Sequence, residues 1–112
     1  MKLRQIAKKL ALTVKAGETN LDAEVTGGYA GDLLSCAMAG AHKGNLWVTL
    51  QGHLNIVAIA SLIELAGIIV TENKPIAQDT LAKAAEEGIP ILATPLTTFE
   101  IVGRLWEMGV RT

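Results

Sequence analysis

Three glycines stand between a short apolar run and a helical one in Val25-Thr26-Gly27-Gly28-Tyr29-Ala30-Gly31-Asp32. Glycines so placed let backbone N–H groups close around a phosphate. A Walker loop follows its last glycine with Lys and then Ser or Thr, for charge and a magnesium ligand. Asp32 and Leu33 occupy those positions here. A dinucleotide fingerprint needs GxGxxG, and Gly28-Tyr29-Ala30-Gly31 lacks that spacing. The glycines therefore read as a turn. Asp32 reads as an N-cap whose carboxylate accepts from free N–H groups of the following helical turn.

The other reactive side chains are scattered. His53 follows Gly52 just before a helix start and could hold an anion or move a proton. His42 sits beside Lys43 in a turn and reads as solvated. Cys36, His42 and His53 have no metal-ligand spacing, so no metal and no cofactor are expected. Cys36 lies inside a helix without a cationic neighbour in sequence and reads as core filler. Ser35 is not in a GxSxG elbow. Asp22 and Glu24 could share a strand face, with no partner acid or base evident. Trp47 and Trp106 read as core or interface anchors.

The elements that must position these groups follow from periodicity. Leu3, Ile6, Ala7 and Leu10 form one face of a helix over residues 2–10. A short extended piece covers residues 12–15. A strand is expected over 22–26, then a helix over 32–39. A buried strand over 46–50 follows, then a helix over 54–66 ended by Gly67. Ile68-Ile69-Val70 is another buried strand. A surface helix over 76–87, capped by Gly88, leads to a strand over 89–93. Pro90 lacks an N–H, so it should open that strand or lie on an edge. Thr97 and Glu100 have capping-box spacing before a last helix over 98–109. Short apolar strands alternating with helices specify an α/β fold: a small parallel sheet of about four strands with crossover helices.

A chain of 112 residues is one domain, residues 1–112, able to bury about two-thirds of its unfolded surface. One Phe, two Trp and one Tyr leave the core to Leu, Ile, Val and Ala. A net charge of −1 argues against nucleic acid as a partner. Yet Lys2, Arg4, Lys8, Lys9 and Lys15 meet no acid before Glu18, so the first fifteen residues carry +5 and the remainder −6. That reads as a solvated helix face. A single Cys excludes an internal disulfide and suits a reducing cytoplasm. No signal peptide or membrane span is expected, because the longest apolar run, residues 56–65, is short and broken by Ser61 and Glu64.

In a parallel sheet, ligands meet the loops beyond the carboxyl ends of the strands. Residues 27–31, 51–53, 71–74 and 94–97 should converge on that rim. The candidate binding residues are Gly28, Tyr29, Gly52, His53, Thr71, Asn73, Thr94 and Thr97, and no catalytic residue is assigned. Asn55, Ser61 and Glu64 do not share a helical face at about 100° per residue. Their helix is apolar nearly all round and needs cover on two sides. A homodimer is inferred, with Ile56, Ile59, Ile63 and Trp106 at its interface.

The stretches Gly28–Ser35, Leu46–Asn55 and Ile89–Arg104 resemble the DRTGG domain. The chain looks most like the small stand-alone members often labelled serine kinases of HPr. It is also similar to the N-terminal domain of HPr kinase/phosphorylase. The Gly-Asp-Arg of many relatives falls on Gly52-His53-Leu54, and their Thr-Gly-Gly on Thr71-Glu72-Asn73. The resemblance implies a regulatory or accessory domain, commonly dimeric. Relatives stand beside CBS domains and phosphotransacetylases and near genes for iron-only hydrogenases. Phosphoryl transfer in the HPr enzyme belongs to a separate Walker-loop domain, so kinase activity is not expected of these residues.

The expected function is thus a non-catalytic module that senses a small anionic metabolite or nucleotide, or docks on a partner enzyme such as a hydrogenase or another enzyme of redox or carbon metabolism. One alternative is a structural assembly partner without a small ligand. The other is an enzyme acting on a phosphorylated compound, with His53 as acid or base.

Overall fold

The computed structural model describes residues Met1–Thr112. Its most apolar segments, Asn45–Thr49 (β3) and Gly67–Val70 (β4), are buried at every position. They sit side by side in the middle of a five-stranded sheet. Gly27–Ala30 (β2) flanks β3, and Ile91–Ala93 (β5) flanks β4, all four running parallel. Thr13–Ala16 (β1) closes the sheet antiparallel to β5, with a bulge between Val14 and Ala16. The order is β1-β5-β4-β3-β2. The α/β class holds, but the sheet is five-stranded and mixed, because the short extended piece after the first helix pairs with the outer edge of β5.

Side chains alternate across a strand, and here both faces are covered. Trp47, Ile68, Val70 and Ile91 pack beneath Leu34–Gly40 (α2), Asn55–Ile63 (α3) and Gln78–Glu87 (α4). Leu46, Val48, Ile69 and Leu92 pack beneath Leu3–Lys9 (α1) and Thr98–Glu107 (α5). The two cores hold 14 and 13 buried residues, so the sheet is the middle layer of three. Trp47 is fully buried, and its indole N–H donates to the Gly31 carbonyl at 2.9 Å.

Three expected boundaries move for physical reasons. Residues 22–26 form no strand; β2 begins at Gly27, inside the glycine run. Residues 21–24 are instead held by α1: Leu3 and Arg4 donate backbone N–H bonds to Ala23 and Leu21, and Lys2 bridges Glu24. α3 stops at Ile63, because Glu64 turns left-handed at φ 63° and sends the chain to Asn45. Gly67 opens β4, and a Cβ there would press on Leu3 and the Pro90 carbonyl. Gly88 does cap α4 in the left-handed conformation, and Thr97 caps α5 by accepting from Glu100 N–H. Pro90 immediately precedes β5 and accepts from Ile68 N–H. No helix is long and apolar enough to cross a membrane.

Arg4 Nε donates to the Asp22 carboxylate at 2.9 Å, tying α1 to the following loop. That hydrogen bond, and then the Arg4 charge, hold the Asp22 carboxyl below its ordinary value of 3.8. A carboxyl depressed in the folded chain contributes stability above its unfolded value and loses it as pH falls through the folded one. The pair is exposed, so the contribution is small. Asp22→Asn is expected to flatten the decline in melting temperature below about pH 4. An acid limb unchanged by the substitution would contradict this.

Candidate functional site

The carboxyl ends of β2 to β5 form one rim, and hydrogen bonds weld its loops together. At one end, the Asp32 carboxylate accepts from Thr49 Oγ1 at 3.0 Å and from Leu50 N–H at 2.8 Å. Gln51 Nε2 donates back to the Asp32 carbonyl at 3.2 Å. Asp32 is therefore not an N-cap; Leu33 holds that position with no side-chain cap. The carboxylate instead closes the end of the neighbouring strand, whose last N–H lacks a ladder partner. At the centre, the Gly52 carbonyl accepts from Ala77 N–H at 3.1 Å and Thr80 Oγ1 at 2.8 Å. A Cβ at Gly52 would run into the Pro75 carbonyl.

The weld at Gly52 leaves an open cleft of about 330 Å³ between the β3–α3 and β4–α4 loops. Gln51, Gly52, His53 and Lys74 line it with Pro75 and Ile76. A second recess of about 340 Å³ shares Lys74 and is lined by Lys15, Asn73 and Gln78. Neither Lys15 nor Lys74 enters a salt bridge. Their charges face solvent-filled space, which suits an anion with two charged groups.

The expected rim residues thus divide. Gly52 and His53 line the cleft, and Asn73 lines the adjoining recess. Thr71 is fully buried with its hydroxyl 2.6 Å from that of Thr98. Thr94 is buried, and its Oγ1 accepts from Leu96 N–H. Thr97 serves α5 as its cap. These three hydroxyls hold the loops in shape. Gly28 and Tyr29 lie within β2, away from the cleft, on a separate groove of about 190 Å³ beside Trp106. The glycine run that invited a turn is a strand, paired parallel with β3, and at Gly27 a Cβ would run into the Arg111 carbonyl. Lys15 was missed because only the antiparallel placement of β1 brings it to β5. Cys36 is exposed rather than core filler. No group of three or more His, Cys, Asp or Glu is placed to hold a metal ion.

Of the expected interface residues, Ile56 and Ile59 are buried in the chain's own core and Ile63 packs half-buried against it. Trp106 is 51% exposed.

The β4–α4 loop carries two consecutive left-handed residues, Glu72 at φ 59° and Asn73 at φ 55°. Their N–H groups donate to Leu96 and Thr94 carbonyls, and that of Lys74 to Thr71, so none is free for an anion. A left-handed conformation costs a non-glycine residue about 1–2 kcal/mol, less for Asn. Glu72→Gly is expected to stabilise the chain by roughly 0.5–1 kcal/mol after the entropic penalty of glycine. Gly52→Ala is expected to destabilise it by about 1–3 kcal/mol through overpacking. Denaturant titrations measure both; a neutral Gly52→Ala would refute the weld.

The comparisons bear on this geometry. No curated protein matches the sequence. Among solved structures, the chain is similar to the CBS and DRTGG domains of the regulatory region of Clostridium perfringens pyrophosphatase, complexed with its activator diadenosine tetraphosphate. The TM-score is 0.71 at 16% identity, over 99% of this chain and 50% of that one. That likeness establishes the fold, and the chain spans half the length of that relative. The family model for the DRTGG domain matches residues 6–108. The chain therefore belongs to the DRTGG domain family.

Proposed function

We propose that this chain is a non-catalytic regulatory or accessory domain whose ligand end is the cleft beside Gly52. The observation that carries the reading is the pair of unpaired lysines, Lys15 and Lys74, on two adjoining recesses with His53 at their margin. Two recesses sharing one lysine suit a small anionic metabolite or nucleotide with more than one phosphate. The ligand's charge would meet Lys74 in the middle, Lys15 on one side and the His53 imidazole on the other. The structurally similar pyrophosphatase region, complexed with a nucleotide activator, supports the same ligand class. The exposed Asp32 carboxylate on the rim is engaged by Thr49 and Leu50 and so serves the scaffold.

Regulation needs a second surface that transmits the bound state. The exposed apolar side chains of α5 supply one, and self-association through them is part of the reading, as is docking on a partner enzyme. The same face favours a second reading, an assembly partner that takes no small ligand.

Thermal shift against ATP, diadenosine tetraphosphate and sugar phosphates tests the ligand reading. Stabilisation should grow as the logarithm of ligand concentration, reaching about 2.7 kcal/mol at a hundredfold excess over Kd. Lys74→Ala and His53→Ala should reduce the shift without lowering the melting temperature of the free chain. No shift with any of these compounds contradicts the ligand reading. Turnover of a phosphorylated compound that His53→Ala abolishes contradicts the non-catalytic one.

A further inference from the structure

Side chains two apart on a regular strand share a face. Strand β1 breaks that rule: Val14 packs with the core under α1 and α5, while Ala16 is buried with the core under α4. The bulge is the reason. Val14 pairs with Leu92 and Ala16 with Ile91, which leaves Lys15 as the extra residue. Lys15 takes the α4 side, and Ala16 follows it there. The strand thus buries an alanine and delivers an ammonium group beside it. That group reaches the recess of about 340 Å³ that Gln78 and Leu81 of α4 and Ala93 of β5 share with Asn73 and Lys74. Bulges of this kind re-aim side chains beside functional sites.

The chemistry of that recess is one-sided. Lys15 and Lys74 are its only charged residues, Asn73 and Gln78 add two carboxamides, and no carboxylate lines it. Two ammonium groups facing one space repel each other, and an anion between them removes the repulsion. Asn73 stands at φ 55°, a backbone that glycine adopts freely. Asparagine tolerates it better than other side chains and keeps an amide at the recess. The adjoining cleft differs. Gln51, Gly52 and His53 line it, and Lys74 is its one permanent cation. Pro75 and Ile76 wall both spaces, so a ligand seated in the cleft meets Lys15 only by extending past them.

We propose that Lys15 sets the phosphate count of the ligand: it seats a second phosphoryl group beyond the one held at Lys74, so the site prefers diphosphates and longer chains to monophosphates. The inference rests on the ligand reading above and assigns its specificity to one residue. A monophosphate at Lys74 leaves Lys15 to solvent. A diphosphate meets both ammonium groups, each through charge-assisted hydrogen bonds. The backbone N–H groups of residues 72–74 are already taken by carbonyls, so the discrimination falls to side chains. Lys15 binds and positions; no bond is made or broken.

Isothermal titration calorimetry of the full chain with AMP, ADP and ATP at one ionic strength tests this. The wild type should bind ADP about tenfold more tightly than AMP, the low end for a hydrogen bond to a charged group. Lys15→Ala should bring ADP down to the AMP level, with AMP binding and the melting temperature unchanged. Lys15→Arg should keep the preference. Lys9→Ala, which removes the same charge beside Arg104 on the far face of the sheet, should keep it too. A wild type that binds AMP and ADP equally overturns the role of Lys15 and leaves the cleft standing. So does a preference that survives Lys15→Ala, or one that Lys9→Ala lowers as much. A wild type that binds none of the three overturns the ligand reading as well.

Discussion

The parallel pairing of β3 with β4 is the constraint on which the rest of the structure depends. Both strands are buried on both faces, so every one of their backbone polar groups must find a partner in the ladder. Parallel strands can be joined only by a crossover. Helix α3 makes that crossover, and α2 and α4 make those on either side. Each has to bury an apolar face against the sheet, and α1 and α5 then cover the opposite side. The polar rim, the two cores and the outward position of α5 all follow from this one arrangement.

Much of it could be read in the amino-acid order. The unbroken apolar runs at 46–48 and 68–70 mark doubly covered strands, and the capping signals at Thr97 and Gly88 lie where the helices begin and end. What could not be read depended on partners remote in sequence. Nothing local says that Thr13–Ala16 pairs with β5, so the fifth strand and Lys15's place at the recess were invisible. Nothing local says that residues 21–24 are claimed by α1, which displaces β2 into the glycines.

The rim illustrates the same limit at single-residue scale. Its location was legible, because parallel strands direct their carboxyl ends to one side. Which side chains line its recesses was not. The Thr71 hydroxyl meets that of Thr98, and the Thr94 and Thr97 hydroxyls accept from Leu96 and Glu100 N–H, contacts that the residue types alone did not reveal. Gly52 looked like a turn residue and is a contact point where two backbones meet. Glu72 and Asn73 hold a left-handed backbone without being glycines. Leu96 and Thr94 anchor that loop through their carbonyls, which accept from the Glu72 and Asn73 N–H groups.

The molecule thus has two ends of different character. The rim is polar, carries charges of both signs and is shaped by backbone contacts; the outer face of α5 is apolar. α5 starts from the rim through Thr97 and Thr98, and Thr98 is bonded to Thr71 at the end of β4. The end of β4 and the first turn of α5 are thus joined by a side-chain hydrogen bond.

Amide chemical-shift mapping tests the central claim, that the anion site is the cleft at Gly52, most directly. Titration of the isotopically labelled chain with ATP is expected to perturb residues 51–55 and 73–78 first, together with Lys15. Perturbations centred on β2 and the glycine run, or a spectrum that ATP leaves unchanged, would contradict it.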